Sequence, residues 1–156
     1  HSESYTRRST MEKSLILKEK FLNEFGVEKQ DLRTYSPLTL AYIGDAIFGL
    51  VVRTVLVERK NTQAEKLHKA ATKIVKAETQ ALMIEAIKDE LTEEEMAVYK
   101  RGRNAKAVTR AKNATMSEYR RATGFEALMG YLYLKGDIER MIKLIHLGVE
   151  KAEVTL

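Results

Sequence analysis

Apolar residues recur along this chain at helical rather than strand spacing. Leu15, Leu17, Phe21, Leu22 and Phe25 fall on one side of a helix predicted from Met11 to Phe25, which Thr10 can cap and Gly26 stops. Ser36-Pro37 pairs a capping hydroxyl with proline at the first helical position, so a helix should run from Pro37 to about Arg59. That segment is apolar nearly all round as far as Val52, which predicts the central buried helix. Thr62-Gln63-Ala64-Glu65 reads as a capping box opening a helix to about Ala71. A stretch from about Thr72 to Lys88 follows, possible as a continuation, with Ile74, Ala77, Ala81, Ile84 and Ile87 as its apolar spacing. Thr92 to Glu95 is another box, starting a helix to about Arg101. Gly102 to Met116 has little apolar periodicity and is expected to be a basic loop. Helices from about Ser117 to Leu134 and from about Ile138 to Lys151 complete the reading, separated by Gly136-Asp137. No alternating strand pattern, Asn-Gly or Asp-Gly hairpin, or internal repeat is present. The expectation is an all-α fold, with residues 11–156 as one domain and residues 1–10 unstructured or a cloning remnant.

Composition supports this picture. One proline in 156 residues favours helix, and 44% hydrophobic with 31% charged residues is ordinary for a soluble protein able to bury a core. The lack of cysteine excludes disulfides and thiolate metal sites, and is compatible with a cytoplasmic protein. No uninterrupted apolar run reaches the ~18 residues of a membrane span. Asp45 breaks the most apolar stretch, Leu38 to Val52, and no secretory signal opens the chain, so no membrane association is expected. The net charge of +5 points only weakly to a polyanionic partner. Its distribution is more informative: Lys100, Arg101, Arg103, Lys106, Arg110, Lys112, Arg120 and Arg121 lie in a span whose only acid is Glu118.

Two carboxylates stand out. Asp45 is the only charge between Pro37 and Arg53, on the helix expected to be core, and Gly44 beside it permits close approach of a backbone or ligand. An unpaired carboxylate in apolar surroundings is costly, so Asp45 must be paired, solvated in a cleft, or bound to a cation. Glu126 lies within Gly124-Phe125-Glu126-Ala127-Leu128-Met129-Gly130, again amid apolar residues and glycines; taken alone it reads as a wet-face glutamate. Packed side by side, the two helices would bring the carboxylates together. A hard divalent cation relieves their repulsion, and Mg²⁺, which keeps several waters, needs no more protein ligands than these two. Such an ion can activate water and neutralise charge on a phosphate.

Lys100, Arg101, Arg103, Asn104 and Lys106, with few apolar neighbours, suit contact with phosphates of a nucleic acid without sequence readout. Interleaved aromatics, which would favour single strands, are missing. A solvated loop that binds nothing is the plainer alternative. His68 and His146 lack a nucleophile partner or metal-ligand spacing and read as surface or packing residues. Tyr131 and Tyr133 read as core or interface, and no P-loop or dinucleotide fingerprint occurs.

Leu40-Ala41-Tyr42-Ile43-Gly44-Asp45-Ala46-Ile47 resembles the signature of the ribonuclease III family, centred on Leu-Gly-Asp-Ala. Thr123 to Leu134 resembles its second acidic motif, Asp-x-Phe-Glu-Ala-Leu followed by a small residue, at the right separation of about 80 residues. Arg101-Gly102-Arg103-Asn104-Ala105-Lys106 is similar to a stretch of the family's Mini group. The resemblance covers roughly Asp31 to Val149. It implies the ribonuclease III endonuclease-domain helical fold, a homodimer whose subunits each cut one strand, Mg²⁺ on Asp45 and Glu126, and hydrolysis of double-stranded RNA leaving 5′-phosphate ends. For the Mini group the implied substrate is the stem of precursor 23S ribosomal RNA.

The pattern is not complete. Ala41 and Thr123 stand where the family usually has Glu and Asp, as in the Mini group, which implies a weaker metal site completed by water. The residues after Leu134 are too few for a double-stranded-RNA-binding domain, so duplex affinity should be weak and salt-sensitive. Two other readings remain at this level: a catalytically weak or inactive, ribosome-associated RNA-binding module on the same fold, and a helical adaptor with a solvated basic face.

Overall fold

The structure is a computed structural model that describes residues 17–106 and 114–156. Every regular element among them is helical, as expected. Residues 17–24 are helical (α1). A 3-10 turn at Leu32–Thr34 precedes α2 (Pro37–Arg59), α3 (Ala64–Val75) and α4 (Ala77–Ile87). A second 3-10 turn, Lys88–Glu90, leads into α5 (Glu93–Arg103), α6 (Met116–Lys135) and α7 (Ile138–Lys151). The expectations for residues 1–10, for the start of the first helix and for residues 107–113 of the basic loop lie outside the described residues.

The helix starts show which local signals acted. Ser36 Oγ accepts from the Thr39 amide at 3.2 Å, with Pro37 at the first turn. Thr92 and Glu95 form the expected reciprocal box, at 2.9 and 3.1 Å. The box expected at Thr62 does not form: Gln63 holds the capping position and no side chain caps α3. Thr115 and Glu118 make a box that the pattern reading missed, because it lies inside the basic segment.

The break between α3 and α4 falls at Lys76, which is extended, not near Thr72. Side chains of α4 satisfy the carbonyls freed there. Thr79 Oγ1 donates to the Lys73 carbonyl at 2.6 Å, and Gln80 Nε2 donates to the Val75 carbonyl at 2.7 Å.

The hub of the core is α6, not α2. It packs most extensively on α2, then on α5 and α4, and buries Ala122 to Phe125 and Ala127 to Gly130. Phe48 of α2 meets Phe125 of α6 edge to face, with centroids 5.2 Å apart and both rings fully buried. In α2 only the stripe Leu40, Ala41, Gly44, Phe48, Gly49 and Val52 is buried. Its other side leaves Tyr42 at 82% and Leu50 at 59% exposed. The apolar circumference of α2 therefore did not mark the centre of the molecule: a pattern counts apolar positions but does not show which face meets this chain.

By length and mean hydropathy α2 could cross a bilayer, which the search for uninterrupted apolar runs did not anticipate. Its packing against α3, α5 and α6, with Asp45 at mid-length, is that of a core helix. At the far side, Arg140 of α7 grips the buried Glu95 with two bonds of 2.8 Å and also reaches the Glu90 carbonyl. This pair ties α7 to the start of α5.

Candidate active site

Two glycines set the gap between α2 and α6. A Cβ on Gly44 would lie 1.7 Å from the Glu126 carbonyl oxygen, and one on Gly130 would lie 1.9 Å from the Leu40 carbonyl oxygen. The backbones touch here, and no larger residue fits at either position. Asp45 directly follows Gly44, and Glu126 is the residue whose carbonyl Gly44 meets. The crossing therefore brings together the two acids that the sequence singled out, close enough for Asp45 to raise the Glu126 carboxyl.

Their environments differ. Asp45 is exposed and Glu126 is half-buried. Burial pushes the Glu126 carboxyl up to about 8, and the neighbouring Asp45 adds to this. The Gln80 amide, donating toward Glu126, acts in the opposite direction. Without a cation the pair thus keeps a proton near neutral pH. A divalent ion would displace that proton and relieve the repulsion.

The donor set is oxygen alone, which suits Mg²⁺. Among the described residues no group of three or more His, Cys, Asp or Glu side chains exists to hold a metal. Ala41 and Thr123, at the positions of the absent acids, are both buried, and Thr123 Oγ1 is committed to the Tyr119 carbonyl at 3.0 Å. Two carboxylates are compatible with an ion that retains much of its water.

A groove of about 370 Å³ opens beside Asp45, lined also by Ala46, Gly49, Leu50, Arg53 and Val75. Arg53 lies two turns beyond Asp45, and its guanidinium folds back so that Nη1 donates to the Gly49 carbonyl at 3.1 Å. A Cβ on Gly49 would stand 2.6 Å from Nη1, so the glycine makes room for it. Its remaining donors share the groove with Asp45. The sequence reading passed over Arg53 and Gln80. Their signals were the spacing of four between Asp45, Gly49 and Arg53, and one amide on the apolar side of α4.

The helix expected to end near Arg101 runs on to Arg103, so Arg103 is not on the loop. Lys100, Arg101 and Arg103 occupy the last turn of α5, and Asn104 is its C-cap. Helix continues because Gly102 docks on α6: a Cβ there would lie 2.9 Å from Gly124 Cα and 2.8 Å from Ala127 Cβ. Lys100, Arg101, Asn104 and Lys106 are exposed. Arg103 is half-buried, its guanidinium 5.6 Å from the centre of the Tyr99 ring, so it is partly engaged within the fold. Both the basic end of α5 and the crossing with α2 dock on residues 123–130 of α6. His68 is exposed, and His146 is exposed and paired with Glu150 at 3.3 Å, as surface residues should be.

Comparison with known proteins points the same way. The model of the ribonuclease III domain family matches residues 38–137. A Mini-ribonuclease 3 of Clostridium tetani is 47% identical over 126 residues, 80% of this chain and 83% of that protein. One from Enterococcus faecalis is 46% identical over 128 residues, 81% of this chain and 97% of that protein. The crystal structure of a Fusobacterium nucleatum protein is similar to this fold with a TM-score of 0.70 at 34% identity, covering 78% of this chain and 97% of that one.

Proposed function

The chain belongs to the ribonuclease III family and is an endoribonuclease, and from that premise we propose that it cleaves double-stranded RNA with Mg²⁺ held between Asp45 and Glu126. The observation that carries this reading is the Gly44–Gly130 crossing, which sets Asp45 beside Glu126. When bound, Mg²⁺ supplies an activated water and neutralises charge on the phosphate in flight. Asp45, exposed on the groove, and Glu126, half-buried behind it, are the two residues that would hold the ion. Arg53 holds a phosphate oxygen in the same groove as Asp45. Lys100, Arg101, Asn104 and Lys106 draw and position the duplex by its backbone, with Arg103 braced on Tyr99 behind them.

The exposed apolar side of α2, with Leu38, Tyr42 and Leu50, supports a homodimer in which each subunit cuts one strand. The motif resemblance to the Mini group implies a cytoplasmic enzyme that matures the ends of precursor 23S ribosomal RNA at its flanking stem, leaving 5′-phosphates. The buried, uncharged Ala41 and Thr123 favour one further reading, an RNA-binding module with little catalysis.

The Asp45→Asn variant decides between them. It should lose at least ~100-fold in cleavage of an RNA duplex, the scale on which single electrostatic groups act in catalysis, with an unchanged circular dichroism spectrum. Cleavage by this variant at the parent's rate would remove Asp45 from the site.

A further inference from the structure

Charged side chains from three helices gather where the end of α4, the last turn of α5 and the first turns of α6 meet. Lys88 directly follows α4, and its Nζ lies 3.3 Å from Glu85 Oε1. Arg121 Nη1 of α6 lies 3.6 Å from the same oxygen, so one carboxylate serves two cations. Arg103 of α5 is the third cation. Its guanidinium is 5.6 Å from the centre of the Tyr99 ring, and Lys88 Nζ is 5.9 Å from the same point. Tyr99 is fully buried, and its ring abuts Gly124, where a Cβ would lie 2.7 Å from it, so this platform is fixed. Arg103 Nε donates to Asn104 Oδ1 at 3.4 Å and to no carboxylate among the described residues. The group thus carries three cations and one carboxylate.

Its pairing is loose. Where this fold ties two elements by charge it uses a buried carboxylate and two bonds of 2.8 Å, as Arg140 does with Glu95. Here Arg121 stands beyond hydrogen-bond distance of Glu85, and the Glu85, Lys88 and Arg121 side chains are 27–39% exposed. Ion pairs this open to water are weak. Lysine and arginine take phosphate oxygens as they take carboxylate oxygens, so a phosphate can replace Glu85 between them. Arg121 is also five residues before Glu126 on α6, about 7.5 Å along the helix axis. We propose that Lys88 and Arg121 form a seat for one phosphate of the RNA duplex, with Arg103 adding charge across the Tyr99 ring, and that Glu85 occupies this seat until the duplex displaces it. The inference rests on the double-stranded-RNA reading above and not on the metal. Glu85 then sets the affinity. It keeps the two cations in place and makes every polyanion compete with it, which favours a duplex whose other phosphates are held at the same time.

The test is equilibrium binding of an RNA duplex without Mg²⁺, read by fluorescence anisotropy across a salt series. Lys88→Gln and Arg121→Gln should each weaken binding, and each should lower the slope of log Kd against log salt by about 0.9. Glu85→Gln keeps the shape of the side chain and removes its charge, so it should bind the same duplex several-fold tighter. A merely structural cluster predicts otherwise for Glu85→Gln: a lower Tm with no gain in affinity. Lys69→Gln, on α3 and paired with Glu65, is the control for net charge and should leave the slope unchanged. Suppose the parent binds the duplex. If Lys88→Gln and Arg121→Gln then keep its slope, or Glu85→Gln binds no tighter, or Lys69→Gln loses as much slope as they do, the seat is wrong and the duplex reading stands. If the parent binds no duplex even at low salt, both fall.

Discussion

Glu126 shows what the pairing of two carboxylates costs the protein. Its carboxyl is pushed up to about 8 by burial and by Asp45, against an ordinary value of 4.5. In the unfolded chain Glu126 ionises near that ordinary value, so between pH 4.5 and 8 the folded, metal-free protein holds a proton the unfolded one has lost. The stabilising effect of that proton is complete below about 4.5 and lost as pH rises toward 8. The slope is at most ~1.4 kcal/mol per pH unit. Thermal melts without metal should therefore show Tm falling from pH 6 to pH 8, and Glu126→Gln should flatten that fall. Mg²⁺ requires the ionised form, so its stabilising effect should grow over the same range. A metal-free Tm independent of pH in both proteins would contradict the pairing. Asp45 and Glu126 were legible in the sequence because charge in an apolar run needs a reason. Gln80 and Arg53 were not: an amide and a cation on helices are ordinary until the fold shows one buried beside Glu126 and the other laid across Gly49 toward the Asp45 groove.

At the scale of elements, the site depends on how closely α2 and α6 approach. Gly44 and Gly130 read as glycines near acids in the sequence, but only the crossing shows that each faces a backbone carbonyl at under 2 Å from where a Cβ would be. Gly130→Ala adds one methyl and no charge, yet it must push α2 away from Glu126. Overpacking of this kind costs typically ~1–3 kcal/mol. Denaturant titration should show a loss of at least that size, and cleavage should fall far more than the loss of folded protein explains. Full activity in Gly130→Ala would mean that the crossing does not set the carboxylate gap. Helix existence was largely legible from spacing and caps, because Ser36, Thr92 and Gly136 act locally. The uncapped start of α3 and the docking of Gly102 on Gly124 were not, because tertiary contacts settle both.

For the whole molecule, charge and apolar surface occupy different places. Lys100, Arg101 and Lys106 form an exposed basic run at the end of α5, while an open apolar stripe with Tyr42 and Leu50 runs along α2. The sequence showed the first as a run of like charge. It misread the second as buried core, because no described element of this chain packs on that side of α2. Duplex binding should be strongly salt-dependent. Replacing Lys100, Arg101, Arg103 and Lys106 by alanine should reduce the slope of log Kd against log salt by roughly 3, near 0.9 for each lost phosphate contact, with Arg103 contributing least. Filter binding across a salt series measures it, and an unchanged slope would place the duplex elsewhere.

The measurement that bears most directly on the account is incubation of the purified protein with a long RNA duplex, and with a single strand of the same sequence, in the presence and absence of Mg²⁺. The two-carboxylate site predicts fragments with 5′-phosphate ends from the duplex alone, only with Mg²⁺. A duplex that is retarded on a native gel but never shortened at any Mg²⁺ concentration would contradict it, and would leave a binding module in its place.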